Sequence, residues 1–134
     1  MLATLHTNDA PSAVTRLTDM GVEPFLLSSS VLGVLAQRLV RKLCPSCRLQ
    51  DGDGHWHPVG CPECGHTGYK GRTGVYELMV ADESVRAHIH QRSAESELTQ
   101  AARARGLRSM REDGERLVAS GVTSLEEVLR VTRD

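Results

Sequence analysis

Four cysteines in two closely spaced pairs constrain this sequence more than any other feature. They stand in Cys44-Pro-Ser-Cys47 and Cys61-Pro-Glu-Cys64, with 13 residues between the pairs, and the chain has no other cysteine. Two thiolates separated by two residues can both turn inward on a tight knuckle, and two knuckles build the tetrahedral sulfur cage of a structural Zn²⁺ site. Metal binding at such a site contributes about 10–16 kcal/mol of apparent free energy, which a glycine-rich loop with little core needs. The spacing therefore predicts a closed metal site.

The spacing leaves alternatives open. Two disulfides would need an oxidising compartment, which no other feature of the sequence indicates. Iron bound by four sulfurs fits the same spacing as zinc. His55, His57 and His66 could replace a cysteine in principle, but four sulfurs already complete a tetrahedron. We therefore predict that these histidines are exposed loop residues.

Composition limits the class of protein. The 134 residues carry 16 basic and 17 acidic side chains, and this balance excludes a global field that attracts nucleic acid or an anionic membrane. The chain contains only one Trp, two Tyr and one Phe, which predicts a helix-rich core of Leu, Val and Ala. No signal-peptide pattern is present, and the stretch VLGVLA is too short to cross a bilayer. We expect a soluble protein in a reducing compartment.

The sequence predicts a series of helices and strands, which are described here from the N-terminus onward. Residues 2–5 read as a short strand, and a helix is expected between Asp9, which can cap it, and Gly21, which can end it. A buried helix is expected from Pro24 to about residue 33, and a strand over 34–43. The later helices are predicted to begin at Asp82, at Ser93, and at Thr123 or Ser124. Between the last two, a further helix is expected to carry Leu107, Met110, Leu117 and Val118 on one side and to end at Gly121.

These signals divide the chain into four segments. Residues 1–43 resemble a strand–helix–helix–strand remnant, residues 44–72 form a cysteine-bearing projection, residues 73–81 form a return strand, and residues 82–134 form a helical subdomain. His6 follows the first strand, and ligands bind at strand ends in open α/β sheets. Thr7, Asn8 and the amides of the following helix could bind a phosphate. A hydrogen-bonded structural role for His6 remains the alternative.

Three stretches together resemble a known family. They are LATLHTNDAPSAVTRLTDMGVEPFLLSSSVLGVLAQRLVRKLCPSC, CPECGHTGYKGRTGVYELM and MREDGERLVASGVTSLEEVLRVT, and they cover essentially the whole chain. They resemble the C-terminal portion of the type II secretion ATPase family (general secretion pathway protein E), to which type IV pilus assembly ATPases are related. The resemblance implies an α/β fold: the C-terminal part of a RecA-like P-loop ATPase domain, a four-cysteine zinc-binding projection and a small helical C-terminal subdomain.

The resemblance also implies roles for particular residues. Thr-Leu-His-Thr-Asn matches the family's histidine box, which would place His6 near the nucleotide γ-phosphate as a catalytic residue. The GRTG stretch, with Arg72 and Thr73, resembles a segment near the base and ribose of the nucleotide. The tetracysteine motif implies structural zinc, and the intact family protein would use ATP and Mg²⁺.

The phosphate loop of the family is not in this sequence. No G-x-x-x-x-G-K-[ST] occurs anywhere in the chain. Residues 1 to about 80 are therefore expected to be the tail of a larger nucleotide-handling domain whose front half is missing. We expect this polypeptide alone to bind ATP poorly and not to hydrolyse it.

The implied function is a cytoplasmic, hexameric motor that powers type II secretion by driving pseudopilus assembly. Its partners would be other subunits of the same ATPase and an inner-membrane secretion platform, with peripheral association to the inner membrane. A role as part of a type IV pilus assembly ATPase is one alternative. A zinc-ribbon module that binds nucleic acid is another, because six cationic side chains flank the knuckles: Arg38, Arg41, Lys42, Arg48, Lys70 and Arg72. Only Trp56 and Tyr69 could stack on bases there, so no nucleic-acid partner is expected.

Overall fold

The computed structural model of the chain describes residues 9–132, which form a mixed α/β structure. The predicted strand at 2–5 and His6 lie outside the described residues. The helices are α1 (Ala10–Asp19), α2 (Pro24–Ser30), α3 (Glu83–His90), α4 (Glu95–Ala104), α5 (Met110–Ala119) and α6 (Leu125–Val131). The strands are β1 (Gly33–Leu43), β2 (Leu49–Gln50), β3 (Trp56–His57) and β4 (Tyr69–Val80), and a 3₁₀ turn spans Pro62–Cys64.

The two long strands β1 and β4 pair with each other in a two-stranded sheet. At one end, the Ala81 N–H donates to the Leu32 carbonyl at 3.1 Å, and at the other the Cys44 N–H donates to the Gly68 carbonyl at 2.9 Å. The strands therefore run antiparallel. The strand predicted over 34–43 is confirmed, with β1 beginning at Gly33.

The described chain divides into two compact units, each built from two separate stretches. The first unit contains residues 9–36 and 77–109, and the second contains residues 37–76 and 110–132. The four-segment division at 43, 72 and 81 remains a prediction.

In the first unit, carboxylates fix where helices begin. Asp9 caps α1 by accepting from the Ser12 N–H at 2.8 Å, and the buried Glu77 accepts from the Ala10 N–H at 2.6 Å. Asp82 caps α3 by accepting from the Val85 N–H at 2.9 Å. These bonds satisfy first-turn amides that have no partner within the helix. The predicted starts at Asp9 and Asp82 are therefore confirmed.

Two expectations for the first unit are wrong. Helix α4 begins at Glu95 and not at Ser93, because Ser93 lies in the turn after α3 and bonds back to that helix. Its hydroxyl lies 3.0 Å from His88 Nδ1, and its N–H donates to the His88 carbonyl at 3.0 Å. The helix expected from Pro24 to about residue 33 ends at Ser30, and its Phe25 and Leu26 are exposed.

In the second unit, α5 packs against α6 at very close range. Gly114 lies on the buried side of α5 opposite the fully buried Val128. A Cβ atom at position 114 would lie 2.5 Å from Cγ1 of Val128, closer than packed carbon atoms approach each other. Ser124 caps α6, because its hydroxyl accepts from the Glu127 N–H at 3.2 Å, and this confirms one of the two predicted starts.

The helix predicted to carry Leu107, Met110, Leu117 and Val118 is α5. It begins at Met110, so the expectation that it includes Leu107 is wrong.

A buried carboxylate connects β1 to α6. Glu127 is 1% exposed and accepts from the Arg41 N–H at 2.7 Å and from Arg41 Nε at 3.0 Å. Arg130 donates to the same carboxylate from Nε at 2.8 Å and from Nη2 at 2.9 Å. Burial alone would raise the pKa of Glu127, but the hydrogen bonds from Arg130 and Arg41 outweigh it and lower the pKa to about 2. Glu127 is therefore a charged, fully paired group at ordinary pH.

We expect Gly114→Ala to destabilise the protein, although alanine is the better helix former. The added methyl group overlaps Val128, so the free energy of unfolding should fall by about 1–3 kcal/mol. Urea denaturation measures this difference. A double variant with Val128→Ala should lose less than the sum of the two single changes, since the smaller side chain makes room. Strict additivity would contradict the proposed overlap.

We expect Glu127→Gln to lower the free energy of unfolding at pH 7 by about 2–3 kcal/mol, because charge-assisted hydrogen bonds are lost. The folded pKa of about 2 lies below the ordinary value of 4.5, so the stabilisation is present above pH 4.5 and is lost as the pH falls toward 2. Denaturation curves at several pH values should show the gap closing on acidification. Glu115→Gln, an exposed change on α5, is the control and should have little effect.

Candidate metal centre

The cysteines lie where the two long strands meet the projecting loops. Cys44 directly follows β1 and is buried, and Cys47 lies on the turn after it. Cys61 precedes the 3₁₀ turn that ends at Cys64, and both are partly exposed. Gly65 follows in the left-handed conformation with φ 66°, as expected for the residue beyond the last cysteine. Strand pairing thus brings together two knuckles that are separate in sequence.

The four sulfur atoms form a compact group. The Sγ atoms lie 3.7 Å apart for Cys44 and Cys61, 3.9 Å for Cys47 and Cys64, and 3.8 Å for Cys61 and Cys64. A regular tetrahedron of sulfur around zinc, with bonds of about 2.3 Å, has edges of about 3.8 Å. A disulfide requires about 2.05 Å, and all four cysteines are free. The four side chains could hold one zinc ion.

Backbone amides point at the sulfurs from within the knuckles. The Gly60 N–H donates to Cys47 Sγ at 3.3 Å, and the N–H groups of Cys61 and Gly68 donate to Cys64 Sγ at 3.3 and 3.2 Å. Such bonds favour thiolate over thiol and orient the ligands. The Ser46 hydroxyl also donates to the Glu63 carboxylate, which joins the two knuckles directly.

The thiols do not ionise equally. Burial raises the pKa of Cys64, but the amides of Cys61 and Gly68 outweigh it and lower that pKa to about 6. For Cys61 the amide of Cys64 lowers the pKa, whereas burial and the thiols of Cys44 and Cys47 raise it, with a net rise to about 11. Four negative charges so close together repel each other. A divalent cation removes this repulsion, so the donor set fits zinc.

Two cation–π contacts lie in the second unit, among residues next to the knuckles in sequence. The Arg48 guanidinium lies 4.2 Å from the centroid of the Trp56 ring and donates to the Gly121 carbonyl. Arg41 lies 4.2 Å from the centroid of the Tyr69 ring, and the Tyr69 hydroxyl is 2.7 Å from the Ser124 hydroxyl. Both aromatic rings near the knuckles are therefore engaged with arginine.

The other predicted site residues are not brought to this centre by any described contact. Arg72 and Thr73 lie on β4, where Arg72 is exposed and Thr73 is half-buried. Their role beside a nucleotide remains a prediction, as does the catalytic role of His6.

One further group of side chains that could bind a metal was predicted from the sequence only as part of a loop. One ligand atom from each of Asp51, Asp53 and His55 lies within 4.8 Å of the others, on the projection between the knuckles. The signal in the sequence was the alternation of Asp and His in DGDGHWH, which places several ligand-type side chains near one turn.

Comparison with known proteins identifies the family. The sequence model of the family described as "Type II/IV secretion system protein" matches residues 1–130. The chain belongs to this family. The resemblance seen in the sequence is thereby confirmed.

Individual relatives support the same family assignment. Type II secretion system protein HxcR of Pseudomonas aeruginosa is 69% identical over 134 residues, covering 100% of this chain and 28% of HxcR. Type II secretion system ATPase E of Vibrio cholerae is 47% identical over 150 residues, covering 100% of this chain and 30% of that protein. Type IV pilus assembly ATPase TfpB of Acinetobacter baylyi is 47% identical over 149 residues, covering 98% of this chain and 26% of TfpB.

A solved structure shares the fold. The crystal structure of the pilus retraction motor PilT with bound ADP matches with a TM-score of 0.66 at 22% identity, covering 98% of this chain and 32% of that chain. The α/β fold predicted as part of a RecA-like ATPase domain is confirmed. The chain spans less than a third of the length of these relatives. Among residues 9–132, no helix combines the length and apolar character needed to cross a membrane.

We expect protein purified under reducing conditions to carry one equivalent of zinc, and elemental analysis distinguishes zinc from iron. Chelation should make the four thiols reactive and should change the fluorescence of Trp56, the only tryptophan, which lies between the knuckles. Cys64→Ser should lose the metal and lower the midpoint of thermal unfolding, whereas Ser46→Ala should retain it. Disulfide-linked cysteines found by mass spectrometry, or a metal-free protein that stays folded, would contradict the assignment.

Proposed function

We propose that this chain is part of a cytoplasmic motor ATPase that powers type II protein secretion by ATP hydrolysis. The observation that carries the proposal is the 69% identity to a type II secretion system protein over all 134 residues. Identity at that level supports a shared fold over the matched region, and a relative at 47% identity is named an ATPase. The activity itself would belong to a protein longer than this chain.

In this proposal, residues 1–43 contribute to the ATPase core, residues 44–72 form the zinc-binding projection, residues 73–81 return to the core, and residues 82–134 form the helical subdomain. His6 acts near the γ-phosphate of ATP bound with Mg²⁺. Arg72 and Thr73 lie near the base and ribose. The PilT structure, which has ADP bound, supports a nucleotide-binding fold for the longer protein.

Zinc would have a structural role. Four cysteines fill a tetrahedral coordination sphere and leave no open position for a substrate or a reactive water. Its contribution is to hold the ends of β1 and β4 and the two knuckles in a fixed arrangement. The projection would then serve as a docking or bracing element in the assembled motor.

The partners follow from the same proposal. The intact protein would assemble as a hexamer with other copies of itself and would contact an inner-membrane secretion platform. That contact would hold it peripherally at the inner membrane. The balanced charge of 16 basic and 17 acidic residues supports recognition by specific contacts rather than by a general field.

Type IV pilus assembly remains the second candidate, supported by the 47% identity to TfpB. The higher identity to HxcR favours secretion. The nucleic-acid alternative has no support from these relatives. Arg48 and Arg41 each cover one face of the Trp56 and Tyr69 rings, which leaves less ring surface on which a base could stack.

The test is an ATPase assay on the full-length protein that contains this sequence. His6→Ala should lower kcat by about 10²–10³-fold, the effect of removing one group that stabilises charge in the transition state. His90→Ala, an exposed change on α3, is the matched control and should leave kcat unchanged. Restoration of secretion in a cell lacking its own ATPase distinguishes secretion from pilus assembly. Equal kcat for the His6 variant and the wild type would contradict the role of His6.

A further inference from the structure

Two carboxylates from different parts of the first unit lie at the start of α1. Asp9, the capping residue, accepts from the Ser12 N–H at 2.8 Å, and its own N–H donates to the Ser12 hydroxyl at 3.3 Å. Glu77, which is 67 residues further along the chain than Ala10, accepts from the Ala10 N–H at 2.6 Å. A local cap is the usual partner of first-turn amides, and the distant Glu77 is an addition to it.

The amides at the start of α1 are already engaged. The N–H groups of Asp9, Ala10 and Ser12 all donate within the protein, and Pro11 has no N–H to donate. A helix start with free amides can bind a phosphate, as the sequence suggested for this helix. Here protein oxygens occupy the amides, and the two carboxylates would repel an anion. The start of α1 therefore anchors the chain and is not free to bind a phosphate.

The bond between Ala10 and Glu77 lies in the interior of the first unit. Glu77 is 4% exposed, and Ala10 is fully buried. Hydrogen bonds to carboxylates are short and strong, and a shift of the helix start away from Glu77 would leave a buried N–H without its partner. The bond therefore fixes the first residue of α1 against β4, the strand that carries Glu77.

The anchored residue is close in sequence to the histidine proposed to act at the γ-phosphate. Only three residues separate His6 from Ala10, and one of them is the capping residue Asp9. The backbone dihedral angles of these few residues are the only freedom between the anchor and His6. A catalytic side chain must be held within about 0.5 Å of its productive position. A fixed point at Ala10 contributes to that precision.

We infer that Glu77 is a positioning residue for His6, and this inference rests on the proposed ATPase function. By accepting from the Ala10 N–H, Glu77 fixes the start of α1 and restricts where the preceding segment can place the imidazole. Glu77 acts through the backbone of α1 and is not a catalytic residue. Its role depends on the length of the side chain and on an acceptor oxygen, and not on negative charge.

The test compares two variants of the full-length protein that contains this sequence. Glu77→Gln keeps the length of the side chain and an oxygen that can accept from Ala10. Glu77→Asp keeps the charge but withdraws the carboxylate by one methylene group. Positioning predicts a kcat within about threefold of the wild type for Glu77→Gln and about 10–100-fold lower for Glu77→Asp, with the KM for ATP little changed. A larger loss in Glu77→Gln than in Glu77→Asp would overturn the inference.

Combination with His6→Ala separates positioning from a general loss of stability. If Glu77 acts through His6, Glu77→Asp should lower kcat by less than about twofold in the His6→Ala background. Glu127→Asp, the same shortening at a buried carboxylate of the second unit, is the matched control. Its effect on kcat should be the same with and without His6. Zinc content and the midpoint of thermal unfolding verify that each variant is folded.

The inference and the proposed function can fail separately. A wild-type kcat in Glu77→Asp, or an equal fold loss with and without His6, would overturn the role of Glu77 and leave the proposed function intact. An unchanged kcat in His6→Ala itself would contradict the catalytic role of His6, and the inference about Glu77 would fall with it.

Discussion

Electrostatic repulsion among four thiolates is the constraint on which the projection depends. Three of the sulfur–sulfur distances lie between 3.7 and 3.9 Å, so neighbouring charges cannot all persist without a cation among them. The antiparallel pairing of β1 and β4 brings the two knuckles to the same place, and the amides of Gly60, Cys61 and Gly68 hold the sulfurs there. The loops themselves have little apolar surface to bury. A metal ion held by the four cysteines would therefore replace the hydrophobic core that this part of the chain lacks.

Features governed by neighbouring residues could be predicted from the sequence. The cysteine spacing, the caps at Asp9, Asp82 and Ser124, and the left-handed Gly65 each depend on a few consecutive residues. Ser93 shows the limit of such reasoning. A serine before a helical stretch usually caps it, but here the His88 side chain competes for the same hydroxyl, and the helix begins at Glu95 instead.

Features that join distant residues could not be predicted. Nothing near Glu127 indicates that its carboxylate binds the backbone and side chain of Arg41. The ion pair between Asp51 and His57 was missed for a related reason. The two residues are close in sequence, but only the register of β2 and β3 brings them together, and a strand of two residues has no detectable period. His6, whose assignment came from family resemblance alone, lies outside the described residues.

The division of the chain has a consequence for its synthesis on the ribosome. The second unit contains residues 37–76 and 110–132, so its closing helix α6 is translated long after the cysteines. The nascent chain can coordinate an ion as soon as Cys64 emerges, but Arg41 has no carboxylate to pair with until Glu127 has left the exit tunnel. Early coordination would keep the ends of β1 and β4 together during that interval. Metal supply during translation would then affect the yield of correctly folded protein as well as its final stability.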